Sequence, residues 1–254
     1  MLAGYPVEVV ELVKTNSTPS FGQLPAFPAY GTVGTMFGNA ALICGGYNGS
    51  YYFDMCISSY YQDSRWIQFQ SNSMVEARGW AAGVKVYTTA FWILGGFDLT
   101  GNVFDSTEFI IKGQTNGIPG PKLPYTLFGH CTIKFTKNQI FVIGGVNNFS
   151  NSKNEVWIYD PQNGFARTQG PSLTKARHNH ACSTMNDGEK MVIITAGGED
   201  TNSKTGYSYL DSVEIYDPTD NTWHSGKNKF PSDYIHFFHN FVQISSKFGH
   251  FFCT

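Results

Sequence analysis

The chain alternates short apolar runs with polar, turn-rich segments, and four of the apolar runs end on a pair of glycines. The runs AALICGG, FWILGG, IFVIGG and VIITAGG end at Gly45–Gly46, Gly95–Gly96, Gly144–Gly145 and Gly197–Gly198. Counted from the first glycine of each pair, positions 45, 95, 144 and 197 are 50, 49 and 53 residues apart. A nearly constant period of this size predicts a repeated structural unit, which has to be identified before local motifs are interpreted.

Each unit is predicted to contain four strands. In the last unit, HACSTM, MVIITAGG and LDSVEIYDP have the length and turn-bounded pattern of strands, and NTWHSG is a short fourth one. The other units repeat these pieces, and a bulky residue follows the third strand at Trp66, Phe165 and Trp223. The second unit has no such residue, so its outer strand is expected to be irregular.

These units resemble the kelch repeat. The residues that carry the resemblance are the four glycine pairs, Tyr159 and Tyr216 in the third strands, and Trp66 and Trp223 in the fourth. The period near 50 residues is also that of kelch repeats. The resemblance implies an all-β fold, a kelch-type β-propeller of four-stranded blades around a central channel. Glycine would allow the second strand to end beside closely packed backbone, and tryptophan is expected to pack between blades.

The whole chain, residues 1–254, is expected to form one propeller domain with four full blades and two half blades. The half blades are residues 1–27 and 231–254, and the full blades are about residues 28–73, 74–122, 123–172 and 173–230. The two halves would either pair to close a five-bladed ring or belong to an incomplete ring, a fragment of a longer propeller. The fragment is the favoured interpretation.

Composition and motifs argue against several classes of function. With 17 basic and 19 acidic residues, a net charge of −2 and only 14% charged residues, the chain lacks the basic surface of a nucleic-acid binder. No apolar run is long enough to insert into a membrane, and the first residues do not have the pattern of a signal peptide. Neither a G-x-S-x-G motif nor a phosphate-binding glycine motif occurs, so no cofactor is expected.

Two of the five cysteines are expected to pair. Cys44 ends a second strand and Cys56 lies in the adjoining third strand, within disulfide reach if the strands are antiparallel neighbours. Two buried free thiols are the alternative, and the disulfide is favoured because the Cys-Gly-Gly…Asp-x-Cys pattern resembles that of some secreted kelch proteins. Cys253 stands near the repeat position of Cys44, and its partner would lie beyond residue 254.

Cys131 and Cys182 both lie in first strands. Aligned on His130 and His180, they differ by one residue, so they are expected to face opposite sides of their sheets and not to pair.

Three N-glycosylation sequons begin at Asn16, Asn48 and Asn148. Together with the cysteine pair they favour an extracellular or secretory setting, with a cytoplasmic one as the alternative.

Histidines offer the clearest candidates for chemistry. On a strand, the H-x-H of His178 and His180 would place both rings on one side, as metal ligands require. His180 and His130 occupy equivalent repeat positions, however, and a feature repeated in each blade favours a structural role, so no metal is expected. A copper radical enzyme similar to galactose oxidase is retained as a minor alternative, with His236 and His239 available in the last half blade.

The loops that lead into the first strands are the candidate binding surface. Arg78 and Arg177 occupy matching positions there, followed closely by Trp80 and His178. In intracellular kelch adaptors, which this chain resembles at the level of the repeat, arginines near this position often line the substrate-binding face. The alternative, that the arginines are structural and paired with neighbouring carboxylates, is slightly favoured.

The sequence therefore predicts a non-catalytic interaction module, a kelch propeller that binds a partner protein through its loops. One alternative is the substrate-recognition part of a ubiquitin-ligase adaptor, and another is the copper enzyme.

Overall fold

A computed structural model describes residues 29–38, 40–62, 65–148, 150–202 and 206–226. These residues form twenty β-strands and no helix. The two predicted half blades lie outside the described residues, and so do Asn16, His236, His239 and Cys253.

Sixteen of the strands build four four-stranded antiparallel sheets, here called blades I to IV in chain order, and the other four form two separate hairpins. Blade I contains β1 (Val33–Phe37), β2 (Ala40–Cys44), β3 (Met55–Gln62) and β4 (Arg65–Ser73). Blade II contains β5 (Ala82–Tyr87), β6 (Ala90–Leu94), β7 (Thr107–Ile111) and β8 (Ile118–Pro119). Blade III contains β9 (Cys131–Thr136) and β10 (Gln139–Ile143), a small hairpin of β11 (Val146–Asn147) and β12 (Asn151–Ser152), then β13 (Val156–Asp160) and β14 (Ala166–Gln169). Blade IV contains β15 (Ala181–Asn186) and β16 (Met191–Ala196), a hairpin of β17 (Glu199–Asn202) and β18 (Gly206–Tyr209), then β19 (Val213–Asp217) and β20 (Thr222–Ser225).

The blades are arranged around a centre lined by their first strands. Strand β1 packs beside β5, β5 beside β9, and β9 beside β15. This is the all-β propeller architecture that the repeat predicts. The outer strand of blade II, β8, has only two residues, in line with the departure of the second unit from the repeat.

The apolar core lies between blades, because each sheet buries its faces against its neighbours. Between blades II and III, Trp92 and Leu94 meet Ile140, Val142 and Tyr159. The boundaries between I and II and between III and IV hold similar clusters. In the last of these, Tyr216 packs against both Phe141 and Trp223, and the indole Nε1 of Trp223 donates to the Pro171 carbonyl at 3.0 Å.

The glycine pairs form the joints between blades. A Cβ on Gly95, which has φ +61°, would lie 2.1 Å from the carbonyl oxygen of Leu127 in the loop leading into blade III. Gly96 donates its N–H to that same carbonyl at 2.8 Å. Gly45–Gly46 and Gly144–Gly145 make the same contacts with Arg78 and Arg177. Positive φ and direct backbone contact both require glycine here, which explains the repeated pair.

A disulfide joins Cys44 and Cys56, the pair for which the sequence favoured a bond. The two residues stand directly opposite each other on β2 and β3.

A second disulfide joins Cys131 and Cys182, so the expectation that these cysteines do not pair is wrong. Cys131 stands opposite the last residue of β10 in register, whereas Cys182 stands opposite the penultimate residue of β16, so their side chains do project from opposite faces of their sheets. Stacked blades, however, bring the rear face of one sheet against the front face of the next. Opposite faces of neighbouring sheets therefore meet, and the Cα atoms lie 6.0 Å apart across the boundary between blades III and IV.

Candidate functional site

Two sets of loops meet on one side of the propeller, here called the upper face. One set follows the glycine pairs, and the other leads into the first strands. Isolated β-bridges join the two sets in every blade, through Tyr30–Tyr47, Gly79–Phe97, Phe128–Val146 and His178–Glu199. The upper face is thus held by regular backbone pairing rather than by side chains alone.

A circumferential row of hydrogen bonds, here called the collar, links the blades at the channel mouth. The N–H of Trp80 donates to the carbonyl of Gly31 at 2.9 Å, that of Gly129 to Trp80 at 3.1 Å, and that of Asn179 to Gly129 at 2.7 Å. These four residues hold equivalent positions in blades I to IV, and all have positive φ, between +50° and +64°. The collar fixes the spacing of the blades where the loops of the upper face begin.

Trp80 is the exception in the collar. Glycine and asparagine accept φ near +50° easily, whereas a bulky residue there is an outlier that costs of the order of 1–3 kcal/mol. Such strain concentrates at binding and active sites. The indole lies over Gly31, where any Cβ would approach its ring within 2.8 Å. Trp80 shares this feature with Phe165, a bulky residue at φ +58° in the β13–β14 turn, but Trp80 alone of the two lies at the channel mouth. We therefore treat Trp80 as a candidate functional position.

Trp80 belongs to a row of aromatic rings that crosses the upper face from blade I to blade III, here called the aromatic arc. Centroid distances are 4.7 Å for Tyr47–Tyr52, 5.6 Å for Tyr52–Phe97, 5.0 Å for the stacked Trp80–Phe97 pair and 4.8 Å for Phe97–Phe128. The first four residues are partly exposed, and Phe128 is buried. The arc therefore presents ring surface to solvent on a rigid base.

A carboxylate adjoins the arc. Burial raises the pKa of Tyr52, and the phenol of Tyr47 and the negative charge of Asp98 raise it further, to about 12. Burial acts to raise the pKa of Asp98 as well, but hydrogen bonds from Thr100 and Asn102 outweigh it and lower that pKa below its ordinary value. Asp98 therefore stays ionised beside a neutral Tyr52 across the physiological pH range.

The two arginines singled out in the sequence are buried, with 1% and 0% of their surface exposed. Arg78 donates to the carbonyls of Gly95 and Ser106 and forms ion pairs with Glu76 and with the buried Glu108.

Arg177 makes the equivalent contacts with Gly197, Ser212 and Glu214, the last at 2.9 Å. The glutamate in turn accepts the N–H groups of Thr174 and Lys175 in the loop that carries the arginine. Neither guanidinium reaches solvent. The contacts therefore fit the alternative in which Arg78 and Arg177 are structural residues paired with neighbouring carboxylates, and they do not support direct contact of either arginine with a partner.

His178 bridges two hairpins at the end of the arc. Its Nδ1 lies 2.8 Å from the Ser152 hydroxyl and its Nε2 lies 3.2 Å from Glu199. Serine, histidine and glutamate in this order are the components of a hydrolytic triad. The Ser152 hydroxyl, however, also accepts the N–H of Thr201 at 2.8 Å, so the chain of contacts ties β12 to β17. We interpret it as a lock between blades III and IV.

His130 and His180 are buried in the equivalent places beside the glycine joints. Neither ring nitrogen of His130 has a hydrogen-bond partner within the described residues, and burial lowers its pKa to about 3. Burial, followed by the positive charge of Arg177, lowers the pKa of His180 well below its ordinary value. Both rings are therefore neutral at physiological pH and serve as packing groups.

The H-x-H pair does not assemble a metal centre. Within the part of the chain that the structure describes, Asp217, Asp220 and His224 form the one group of three side chains with ligand atoms close enough to share an ion. That group lies at the β19–β20 turn, remote from the upper face. Its carboxylate oxygens already accept hydrogen bonds, those of Asp217 from Lys190 and Thr219 and those of Asp220 from Thr222 and His224.

Asn48 and Asn148 lie in exposed loops of the upper face, the former with its amide oxygen accepting the N–H groups of Ser50 and Tyr51. Of the residues predicted as a binding surface, Trp80 lies in the arc and His178 lies buried at its end. Tyr47, Tyr52, Phe97 and Phe128 were not predicted from the sequence. Three of these missed residues follow a glycine pair within seven positions, a signal that is visible only once the units are stacked.

Comparisons with known proteins bear on the fold. The family model of the Kelch motif matches residues 129–164 and 176–229, which contain most of blades III and IV. No curated protein matches the chain. Among solved structures, one titled "Structure of YjhT" superposes with a TM-score of 0.69 over 82% of this chain and 73% of that chain, at 10% sequence identity. A likeness at that identity shows the shared fold alone.

Proposed function

Because the chain is a kelch-repeat β-propeller protein, we propose that it is a non-catalytic interaction module that binds a partner protein at the upper face. The observation that carries this proposal is the aromatic arc on the collar, with Trp80 held at a positive φ. Interface hot spots are enriched in tryptophan and tyrosine held in fixed positions. Loops on a rigid scaffold are also where binding residues concentrate.

The titratable groups of the upper face fit recognition better than catalysis. Arg78 and Arg177 are committed to buried carboxylates, and His130 is neutral and enclosed. The remaining features of the upper face are ring surfaces, carboxylates and lysines, which can hold a partner without reacting with it.

We favour an extracellular or secretory setting for this interaction. The two disulfides are of the kind that persists in oxidising compartments. The exposed sequons at Asn48 and Asn148 agree with such a setting. No helix among the described residues is long and apolar enough to cross a membrane. Thiol titration of protein recovered from an oxidising secretory route should find Cys44, Cys56, Cys131 and Cys182 blocked, and reactive thiols at these positions would favour the intracellular adaptor.

The test of the proposal is quantitative partner capture with matched variants. Full-length chain, Trp80→Gly and Tyr87→Leu are immobilised at equal density, and bound proteins are quantified by mass spectrometry. Tyr87 is an exposed aromatic residue at the end of β5 that lies away from the arc. We expect a defined partner whose recovery falls at least about fivefold with Trp80→Gly and is unchanged with Tyr87→Leu. Equal recovery with Trp80→Gly would exclude the upper face as the binding surface.

A further inference from the structure

The charges of the upper face are unevenly distributed around the aromatic arc. The upper-face loops of blades I and II, residues 29–32, 45–54, 74–81 and 95–106, carry Asp54, Glu76, Asp98 and Asp105, and no lysine. Their single cation, Arg78, is buried and already paired with Glu76 and Glu108. The corresponding loops of blades III and IV also carry carboxylates, at Glu155, Glu199, Asp200 and Asp211, but they contain Lys153 and Lys175 as well. Lys122, just before the loop into blade III, pairs with Asp105 at 3.0 Å. The half of the upper face that presents the partly exposed rings is therefore the more acidic half, with Asp54 and Asp98 as its carboxylates outside the ion pairs with Arg78 and Lys122.

Aromatic faces and carboxylates together select for cations. The face of an indole or phenol ring attracts an ammonium or guanidinium group, and a guanidinium can stack on the ring while donating to a carboxylate. Two cation–ring contacts already exist near the upper face, and in the one made by Arg78 the guanidinium also pairs with a carboxylate. Lys153 Nζ lies 5.3 Å from the ring centroid of Tyr125, and the Arg78 guanidinium lies 4.9 Å from that of Phe104.

We propose that the arc and its carboxylates recognise an arginine-bearing segment of a partner protein, with the guanidinium over the rings of Tyr52 and Trp80 and within reach of Asp98. This inference rests on the proposed function and adds the chemistry of the partner. Tyr52 remains a neutral phenol and Asp98 remains an anion, so the site keeps the same charge from mildly acidic to alkaline pH. An acidic partner segment would meet repulsion from the same carboxylates, which gives the site its selectivity.

The experiment uses fluorescein-labelled nonapeptides of sequence (Gly-Ser-Arg)3, with matched peptides in which citrulline, lysine or glutamate replaces arginine. Binding to the full chain is measured by fluorescence anisotropy at about 20 mM and about 300 mM NaCl, over which range exposed charges become strongly screened. We expect the arginine peptide to bind at least about tenfold more tightly than the citrulline and glutamate peptides at low salt, and this advantage to shrink at high salt.

Two variants locate the site. Trp80→Gly gives blade II the glycine that blades I and III have at this collar position. Asp98→Asn removes one negative charge but keeps a side-chain oxygen that can accept the N–H of Thr100. Each should weaken the arginine peptide by about fivefold or more, with Tyr87→Leu unchanged. Circular dichroism and a thermal melt confirm folding of each variant.

The outcomes separate the two proposals. Equal binding of arginine and citrulline peptides, preference for glutamate, or no effect of Asp98→Asn would overturn the cationic chemistry. If partner capture still depends on Trp80 in those cases, the upper face remains the interaction surface. If neither the peptide nor the captured partner responds to Trp80→Gly, both proposals fail.

Discussion

The boundary between blades II and III and the boundary between blades III and IV have the same backbone and different side chains. The glycine joint is the same in both, with Gly96 donating to Leu127 and Gly145 donating to Arg177, each at 2.8 Å. Leucine fills the first position with apolar contacts, whereas arginine fills the second with a buried ion pair to Glu214. The repeat thus fixes the joint, and each blade can complete it with its own side-chain chemistry.

The largest loss of stability is expected for Arg177→Leu. This variant gives the joint of blade IV the leucine that blade III has at the same position, Leu127. Glu214 would remain buried without its cation, and loss of one member of a buried pair costs about 3–5 kcal/mol. Urea unfolding measures the loss. The double variant Arg177→Leu with Glu214→Gln removes the stranded charge and should recover part of it. A loss below about 1 kcal/mol in the single variant would mean that the pair adds little to the joint.

The two disulfides provide the next comparison. Cys131–Cys182 spans 51 residues and crosses a blade boundary, whereas Cys44–Cys56 spans 12 residues within blade I. Chain entropy predicts that replacing both cysteines by serine costs about 4 kcal/mol for the former and about 3 kcal/mol for the latter. Parallel urea titrations of the two double variants test this order, and a larger loss for Cys44→Ser with Cys56→Ser would contradict it.

His130 gives the boundary between blades II and III a dependence on pH. Its pKa is about 3 in the folded chain and about 6.5 in the unfolded chain, so acidification protonates the unfolded state first. Stability is full above pH 6.5 and falls as the pH drops towards 3, by roughly 2 kcal/mol between pH 7 and pH 5.

Denaturation midpoints at both pH values measure this slope. His130→Ala introduces alanine, the residue that blade II has at the equivalent position, Ala81. The variant should be less stable at pH 7, but its stability should depend less steeply on pH. His180 contributes in the same direction, so some slope remains. An unchanged slope in the variant would show that His130 does not titrate in this way.

The smallest expected change in stability is at the collar. Trp80→Gly relieves backbone strain of the order of 1–3 kcal/mol and loses ring contacts of similar size, so its melting temperature should stay close to that of the parent chain.

Gly129→Ala makes the opposite change, from glycine to a residue with a side chain, at the equivalent collar position of blade III. It adds a Cβ 2.6 Å from the amide oxygen of Asn179 at φ +61° and should cost about 1–3 kcal/mol. A Trp80→Gly melting temperature lowered as much as that of Gly129→Ala would show that Trp80 is mainly structural.

The boundaries between blades also separate the features that the sequence predicts from those that it does not. Strands, blades and the glycine joints were predictable, because period and turn chemistry are local properties. The pairing of Cys131 with Cys182 was not, because it depends on which sheet faces meet when two blades stack. The alternative roles of Arg177 could not be separated until the positions of Glu214 and Ser212 relative to it were known.

The aromatic arc was missed for a related reason. Tyr47, Phe97 and Phe128 come from three different blades, and their ring contacts exist only after the blades are stacked. Trp80 alone could be singled out, through its place beside the repeated arginine.

The collar has a consequence for building new proteins from this one. Each collar hydrogen bond runs from the backbone of one blade to that of the blade before it, and no collar bond uses a side chain. A chain cut just before Gly79 and again just before Phe128 would release blade II as a cassette that carries its own Trp80. Grafted into another kelch ring at the same two points, the cassette would bring Trp80 and Phe97 of the arc with it. A host carbonyl would accept the N–H of Trp80 and a host amide would donate to its carbonyl, which restores the seam.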